Sequence, residues 1–499
     1  MPVTRRFLQQ TLAGSALLAA TAIAGAPSGL LPEVERASRT VSAADLGSHL
    51  RILASDEMEG RGLETSGNDR AAEYIADALA RVAVPPAFLD QGDARAAYFQ
   101  NFALFDASLG PGAAIEVHSQ AGTKVVNFTS GTDFYPSPLS GAASVTAPIA
   151  LDEPQKGRIL VVAAAPAEAP CASDKALEQV AAAVEKGAVA VVLTVASLEP
   201  IDQVWRVDPA QSPTYHNGEI ADVPVACVTR ETAERLRKSS AAGTMTISAA
   251  IQRRPVPSRN VIGAITGSDP ARRGELVVIG AHLDHDGVDP KRGVMNGADD
   301  DGSGMAAVLE VAEAFATAAA ANVRPARTIV FAFWNAEEEG LFGSRHFVSH
   351  PSPPGRPVAN LNLDMVGRHE DVPDPSNPRF TGLPKTRAKD SANVLHLLGY
   401  SHSPDLTEAV REANVRVRLD VRTSYDGGSH NLLRRSDQWS FLERGIPALF
   451  LTTGLHPDYH TPEDDVDKID FAKLVRVARL TFEAAWRIAD ASAPPRFVG

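Results

Sequence analysis

Between Leu276 and Asp364 the chain alternates short apolar runs with clusters of acidic and imidazole side chains. This alternation limits the fold more than any other feature. The segment reads L-V-V-I-G-A-H-L-D-H, then G-A-D-D-D-G-S-G, then F-A-F-W-N-A-E-E-E-G-L-F-G-S, then L-N-L-D-M-V-G. Residues 276–281, 328–334 and 360–363 are short, bounded apolar runs, as strands buried on both faces are. Between them Met305, Val308, Leu309, Ala312 and Phe315 recur at helical spacing, and residues 340–350 read as a second, shorter helix. A β-α-β-α-β order implies parallel strands joined by helical crossovers. In open parallel sheets, ligands bind beyond the carboxyl ends of the strands. His282, Asp284, Asp300, Glu337, Glu338 and Asp364 all fall at such ends or in the loops after them. An imidazole and several carboxylates converging on one edge is what a divalent metal needs.

With 499 residues the chain is too long for one ordinary domain. Its formal net charge is −13 and no basic stripe is present, which argues against nucleic-acid binding. Arg5 and Arg6 precede an Ala/Leu-rich run from Thr11 to Ala26 that is too short to span a bilayer. It has the charged, apolar and small-residue regions of an export signal, with a preferred cleavage after Ala24. Arg5-Arg6-Phe7-Leu8 is like a twin-arginine signal with one residue missing, and an ordinary secretory signal is the other reading. No other apolar run reads as a membrane span. In an exported chain Cys171 and Cys227 are able to pair, and two buried thiols are the alternative.

In chain order, residues 43–53 read as a helix, 53–62 as a turn-rich stretch and Ala72, Ile75, Ala76 and Leu79 as one face of another helix. From about 110 to 254 the character changes to short alternating β-like runs, rich in Ala, Val and Pro and without a cluster of catalytic residue types. Arg253-Arg254-Pro255-Val256-Pro257 reads as the exit linker from this insertion. The expected organisation is a signal peptide over 1–26, a first catalytic segment over 27–109, an insert over 110–254 and a second catalytic segment over 255–499. The last buried strand, near 448–451, leads into T-T-G-L-H-P-D-Y-H-T-P-E-D-D, and a long helix closes the chain.

Taken singly, the motifs are weak. H-x-D is common on surfaces, D-D-D is usually a solvated turn and E-E-E a charged helix start. Their placement after successive strands gives them weight together. A carboxylate in the Gly-flanked turn at Asp300 is able to bridge two ions. Adjacent side chains diverge, so one of Glu337 and Glu338 can ligate a metal while the other faces the attacking water. Two ions about 3.5–4 Å apart share a hydroxide and stabilise the tetrahedral oxyanion.

These segments resemble the family-28 zinc metallopeptidases. The likeness rests on His282-Leu283-Asp284, residues 297–304, 336–344 and 362–367, and residues 458–464. Residues 53–62 resemble the N-terminal part of bacterial members, and the insertion resembles a protease-associated domain. The resemblance implies an α/β fold with a mixed, mainly parallel central sheet covered by helices on both faces. It implies two zinc ions: His282, Asp300 and Asp364 at one, Asp300, Glu338 and His460 at the other, with Asp300 bridging. Glu337 becomes the general base, and Asp284 accepts a hydrogen bond from His282. A cis peptide is expected at Asp300–Asp301. His460 outranks His456, which reads as an ordinary loop histidine, and His285 and Asp286 read as neighbours of the site rather than ligands. Gln438 stands where many relatives carry His. The implied activity is removal of N-terminal residues from peptides with a free amino terminus. The rivals are a carboxypeptidase or dipeptidase on the same core, a one-zinc glutaminyl cyclase, and a non-catalytic binding ectodomain.

Overall fold

In a computed structural model of the chain, the three apolar runs lie side by side in one sheet of nine strands. The structure describes residues 30–88, 94–119, 124–137, 140–141, 144–162, 174–196, 198, 205–207, 215–216, 219–220, 223–239 and 243–499. The expected export signal lies outside these residues, as does Cys171. Cys227 is buried and disulfide-bonded.

Eight strands of the sheet, in chain order, are β1 (Phe99–Leu109), β2 (Ile251–Ile265), β3 (Glu275–His282), β4 (Thr328–Trp334), β5 (Arg356–Leu363), β6 (Val394–Leu398), β7 (Asp420–Thr423) and β8 (Ala448–Thr452). The ninth, Trp205–Val207, pairs with β1 at one edge. Across the sheet the order is β7-β6-β8-β5-β3-β4-β2-β1 and then this edge strand. The centre, β8-β5-β3-β4, is parallel throughout. Antiparallel strands flank it, β6 beside β8 and β2 beside β4, and β1 pairs antiparallel with β2 beyond. All four central strands therefore end at one edge, where the acidic clusters begin.

Strand residues alternate between two buried layers. Val277, Ile279, Ala281, Phe331 and Phe333 face one side, and Leu276, Val278, Val330, Ala332 and Trp334 the other. The first layer is covered by α1 (Ala43–Leu53), α2 (Ser66–Arg81), α3 (Gly304–Ala320), α5 (Pro404–Val417) and α6 (Phe471–Asp490). The second lies under α4 (Phe342–Ser349) and a short helix, Gln438–Leu442. Small residues let α3 sit deep between the sheet, α1 and α6, so apolar side chains on nearly all its sides are buried. Phe315 of α3 stacks on Trp486 with ring centres 5.4 Å apart and meets Phe482 edge-on at 4.7 Å. By length and composition the helical segment Ala298–Ala320 is apolar enough to cross a membrane, which the sequence reading passes over. Its position in the core accounts for that composition.

Among the described residues, eight of the strands between Ala114 and Ser248, not including Trp205–Val207, build a second sheet with its own apolar layers, joined by the helices Asp174–Glu185 and Arg230–Ser239. One expectation fails at its exit. Residues 253–257 are not a linker but the middle of β2, paired with β1 from Ile251↔Leu109 to Val261↔Phe99. Pro255 and Pro257 are two apart, so both nitrogens face the same side. That side is unpaired, because β4 joins β2 only at Val261–Ile265. Prolines fit a strand there at no cost in hydrogen bonds.

Glu310 of α3 is buried, accepts a hydrogen bond from the Ser42 amide at 3.1 Å, and its other oxygen makes no hydrogen bond and faces His49 Nε2 at 3.8 Å. Burial, with Glu313 and Asp45 nearby, pushes its carboxyl up to about 8 from 4.5. The folded chain thus holds a proton there that the unfolded chain has lost, so stability falls as pH rises from about 4.5 through 8. Glu310→Gln removes this dependence. In thermal melts the variant is expected to gain on the wild type between pH 5 and pH 9, and a constant difference would refute the assignment.

Candidate metal centre

The end of β3 carries His282, and the turn after β4 carries Glu337 and Glu338. That turn is set by Ala336, whose φ is +62°, a conformation rare for residues with a side chain. It is anchored from behind by Asn335: its amide donates to Asn260 Oδ1 at 3.0 Å, and its side chain pairs reciprocally with Asn68 of α2 at 3.0 Å. Asp284 places the acidic pair by accepting from the amides of Glu337 (3.0 Å) and Glu338 (3.3 Å). Its expected hydrogen bond with His282 runs instead through the backbone: His282 Nδ1 lies 3.1 Å from the Asp284 carbonyl and 4.0 Å from its carboxylate.

The three consecutive aspartates divide their contacts. Asp299 accepts from the Gly367 amide (2.6 Å) and the Ser303 hydroxyl (2.9 Å), and pairs with His456 Nε2 at 3.2 Å. Asp301 caps α3 through the Gly304 amide (2.9 Å) and holds the His282 amide (3.1 Å). Only Asp300, joined to Asp301 by a cis peptide bond, faces imidazoles on both sides. Its Oδ1 is 3.1 Å from His282 Nε2 and its Oδ2 is 3.2 Å from His460 Nε2. Asp364, at the end of β5, approaches His282 Nε2 at 3.8 Å, and Glu338 approaches His460 Nε2 at 3.5 Å. Among the described residues four overlapping groups are able to hold a metal: His282–Asp300–Asp364, His282–Glu337–Glu338, His285–Asp300–Glu338 and Asp286–Glu338–His460.

The donor set fits divalent ions. Imidazole nitrogens and carboxylate oxygens are ligands for zinc-like ions, and ligands around a tetrahedral ion at bond lengths of about 2.0–2.1 Å stand roughly 3.3 Å apart. Most of the contacts above fall near that separation.

Charge in the cluster is unevenly held. Burial raises Glu337 well above the usual carboxylate range against the pull of His282, and Glu338 and Asp437 push the same way. Burial lifts Asp284 to about 6 and Asp437 to about 7. Burial opposes charge on His460, but Asp286 and Asp300 together raise it to about 11. Behind the ligand loops lies Arg61, fully buried. Its guanidinium donates to the carbonyls of Leu283 (3.0 Å), Leu53 and Asn296 (both 2.7 Å), Gly297 (2.9 Å) and Asp300 (3.2 Å). Gly297 is obligatory here: φ is +54°, and a Cβ would come within 2.1 Å of the Asp300 carbonyl.

Residues 260–485 match the model described as peptidase family M28. This part of the chain belongs to that family. Aminopeptidase YwaD of Bacillus subtilis (strain 168) is 28% identical over 290 residues, covering 56% of this chain and 55% of that one. A probable zinc metalloprotease of Pyricularia oryzae is 28% identical over 272 residues, 48% and 51% of the two chains. A probable leucine aminopeptidase of Arthroderma benhamiae is 29% identical over 233 residues, 45% and 57%. The chain thus spans about half the length of the curated relatives it matches. Among solved structures, an aminopeptidase from Aneurinibacillus sp. strain AM-1 aligns over 93% of this chain and 97% of its own, at 20% identity and a TM-score of 0.48.

The contacts of several neighbouring residues come only from the structure. His285 and Asp286 reach the site: His285 Nδ1 is 2.7 Å from Glu338 Oε1, and Asp286 Oδ2 is 2.9 Å from His460 Nδ1, orienting that ring. The H-x-D-H-D run was the available signal. His456 is not a surface loop histidine but the buried partner of Asp299. Gln438 is fully buried, donating to the Leu433 carbonyl at 2.7 Å, so it does not stand in as a substrate contact. Arg61 lies in the turn-rich stretch that resembles bacterial family members, with no role assigned to it from the sequence.

Arg61→Lys tests the brace. A lysine has three donors on one atom and cannot reach five carbonyls spread over three loops, and each hydrogen bond lost to a charged group costs about 1.5–3 kcal/mol. The variant is expected to melt several degrees lower and to release metal more readily to a chelator. An unchanged melting temperature with unchanged metal retention would remove Arg61 from this role.

Proposed function

We propose that the chain is an exported dimetal aminopeptidase, with zinc as the ion, that removes N-terminal residues from peptides. The observation that carries this reading is Asp300, whose two oxygens face His282 and His460 separately, each flanked by a further carboxylate. Two bound divalent ions supply Lewis acidity, polarising the scissile carbonyl and bringing the pKa of the attacking water toward neutrality. His282, Asp300 and Asp364 would hold one ion, and Asp300, Glu338 and His460 the other. The chain's own acid–base work falls to Glu337. Its backbone is fixed by Asp284, and its carboxyl is buried in the same acidic surroundings. Glu337 takes the proton from the attacking water and passes it to the leaving amine. Export is supported by the N-terminal sequence and by the disulfide at Cys227, which fits an oxidising compartment.

Two measurements test the reading. One peptide is presented in free, N-acetylated and C-amidated forms, with and without a chelator, and products are followed by mass spectrometry. Stepwise loss from the amino end, blocked by acetylation and by chelator, is expected. Trimming from the carboxyl end, blocked by amidation, would instead make the chain a carboxypeptidase. Secondly, Glu337→Gln is expected to lower kcat by about 10²–10⁴, the range for lost general acid–base catalysis, with metal content unchanged. Undiminished turnover would exclude Glu337 as the base.

A further inference from the structure

We infer that His285 is a fourth protein ligand of the metal position formed by Asp300, Glu338 and His460, closing that position while the one at His282 stays open. This rests on the two-metal reading and goes beyond its ligand set. The His285 side chain is completely buried and its amide donates to the Arg61 carbonyl at 3.3 Å, so the ring is fixed at its base. Its Nδ1 lies 2.7 Å from Glu338 Oε1 and 3.9 Å from Asp300 Oδ2. His285, Asp300 and Glu338 bring their ligand atoms together as one group, and His460 Nε2 joins the same two carboxylates at 3.2 Å (Asp300 Oδ2) and 3.5 Å (Glu338 Oε2). The separations bracket the roughly 3.3 Å expected between ligands of a tetrahedral ion. Space for the ring depends on Gly297, where a Cβ would approach His285 Cδ2 to 2.5 Å. The other position has three protein ligands, His282, Asp300 and Asp364.

Four protein ligands make a closed site suited to retention, whereas three leave room for water or substrate. The two ions therefore divide their roles. The ion beside His285 exchanges slowly and holds Glu338 and Asp300 in place, and the ion beside His282 exchanges readily and faces the substrate. The competing explanation for the short Glu338 contact is a hydrogen bond in which His285 only orients the carboxylate.

Metal-free protein titrated with Co²⁺ and with Zn²⁺ separates these. Ions per chain are counted by mass spectrometry after dialysis, and the visible absorption of Co²⁺ reports coordination number. The wild type is expected to bind two ions of unequal affinity. His285→Ala and His285→Asn should weaken the tighter step about 100-fold, the upper range for disturbing a metal site, and alter its Co²⁺ spectrum. Asp364→Ala should lose the weaker step and keep the tighter. Asparagine at 285 can still donate a hydrogen bond to Glu338 but is a poor ligand for these ions, and it provides the test if the alanine variant does not fold. Unchanged tight binding and spectrum in His285→Ala, or full recovery in His285→Asn, would overturn the inference. A wild type that takes up fewer than two ions would instead sink the two-metal reading itself.

Discussion

Carboxylates buried at one edge of a sheet are held there by nearby positive charge, and a fully buried guanidinium, Arg61, lies behind them. Burial works against its charge, and Asp300, Asp301, Asp464 and Asp284 all favour it. Its hydrogen bonds go to carbonyls rather than to those carboxylates. The field of the guanidinium reaches the acids while its donors fasten the backbone that carries them. The acids remain available to metal, and the loops after α1, β3 and before α3 share one anchor. A residue from the first third of the chain thereby fastens loops whose acidic and imidazole side chains come from the last half.

Beyond that anchor, the site is built by neighbouring side chains that point apart. Asp299, Asp300 and Asp301 occupy one turn, yet one braces the Gly367 loop, one faces both imidazole groups and one caps a helix. Glu337 and Glu338 diverge in the same way after β4, held through their amides by Asp284. Acids bound to amides and acids left for metal differ by a single step along the chain. This is why runs of like charge, which on a surface would only be solvated, are ordered here.

Much of this was legible beforehand. The strand at residues 328–334 appears with those bounds, the neighbouring strands differ by a few residues at their ends, and His282, Asp300, Glu338, Asp364 and His460 lie within ion-pair distance of one another in turn. Both follow from local chemistry: apolar runs of strand length, and polar clusters in the loops after parallel strands. The misreadings share a cause as well. Pro255 and Pro257 look like a linker unless β1 is known to pair on one side only. His456 looks like a loop histidine until Asp299, 157 residues earlier, is brought against it. His285 looks incidental until Glu338 and His460 arrive from two other loops.

The sequence by itself determined which residue types stand at the carboxyl ends of which strands, because strand order along the chain and side-chain chemistry are both local properties. Tertiary structure alone decided which of several equivalent acids and histidines face each other. That choice depends on backbone direction at single turns, such as those at Ala336 and Gly297, and on a buried arginine holding loops that are distant in the chain. No local pattern encodes such a contact, because its energy exists only once both partners have left water.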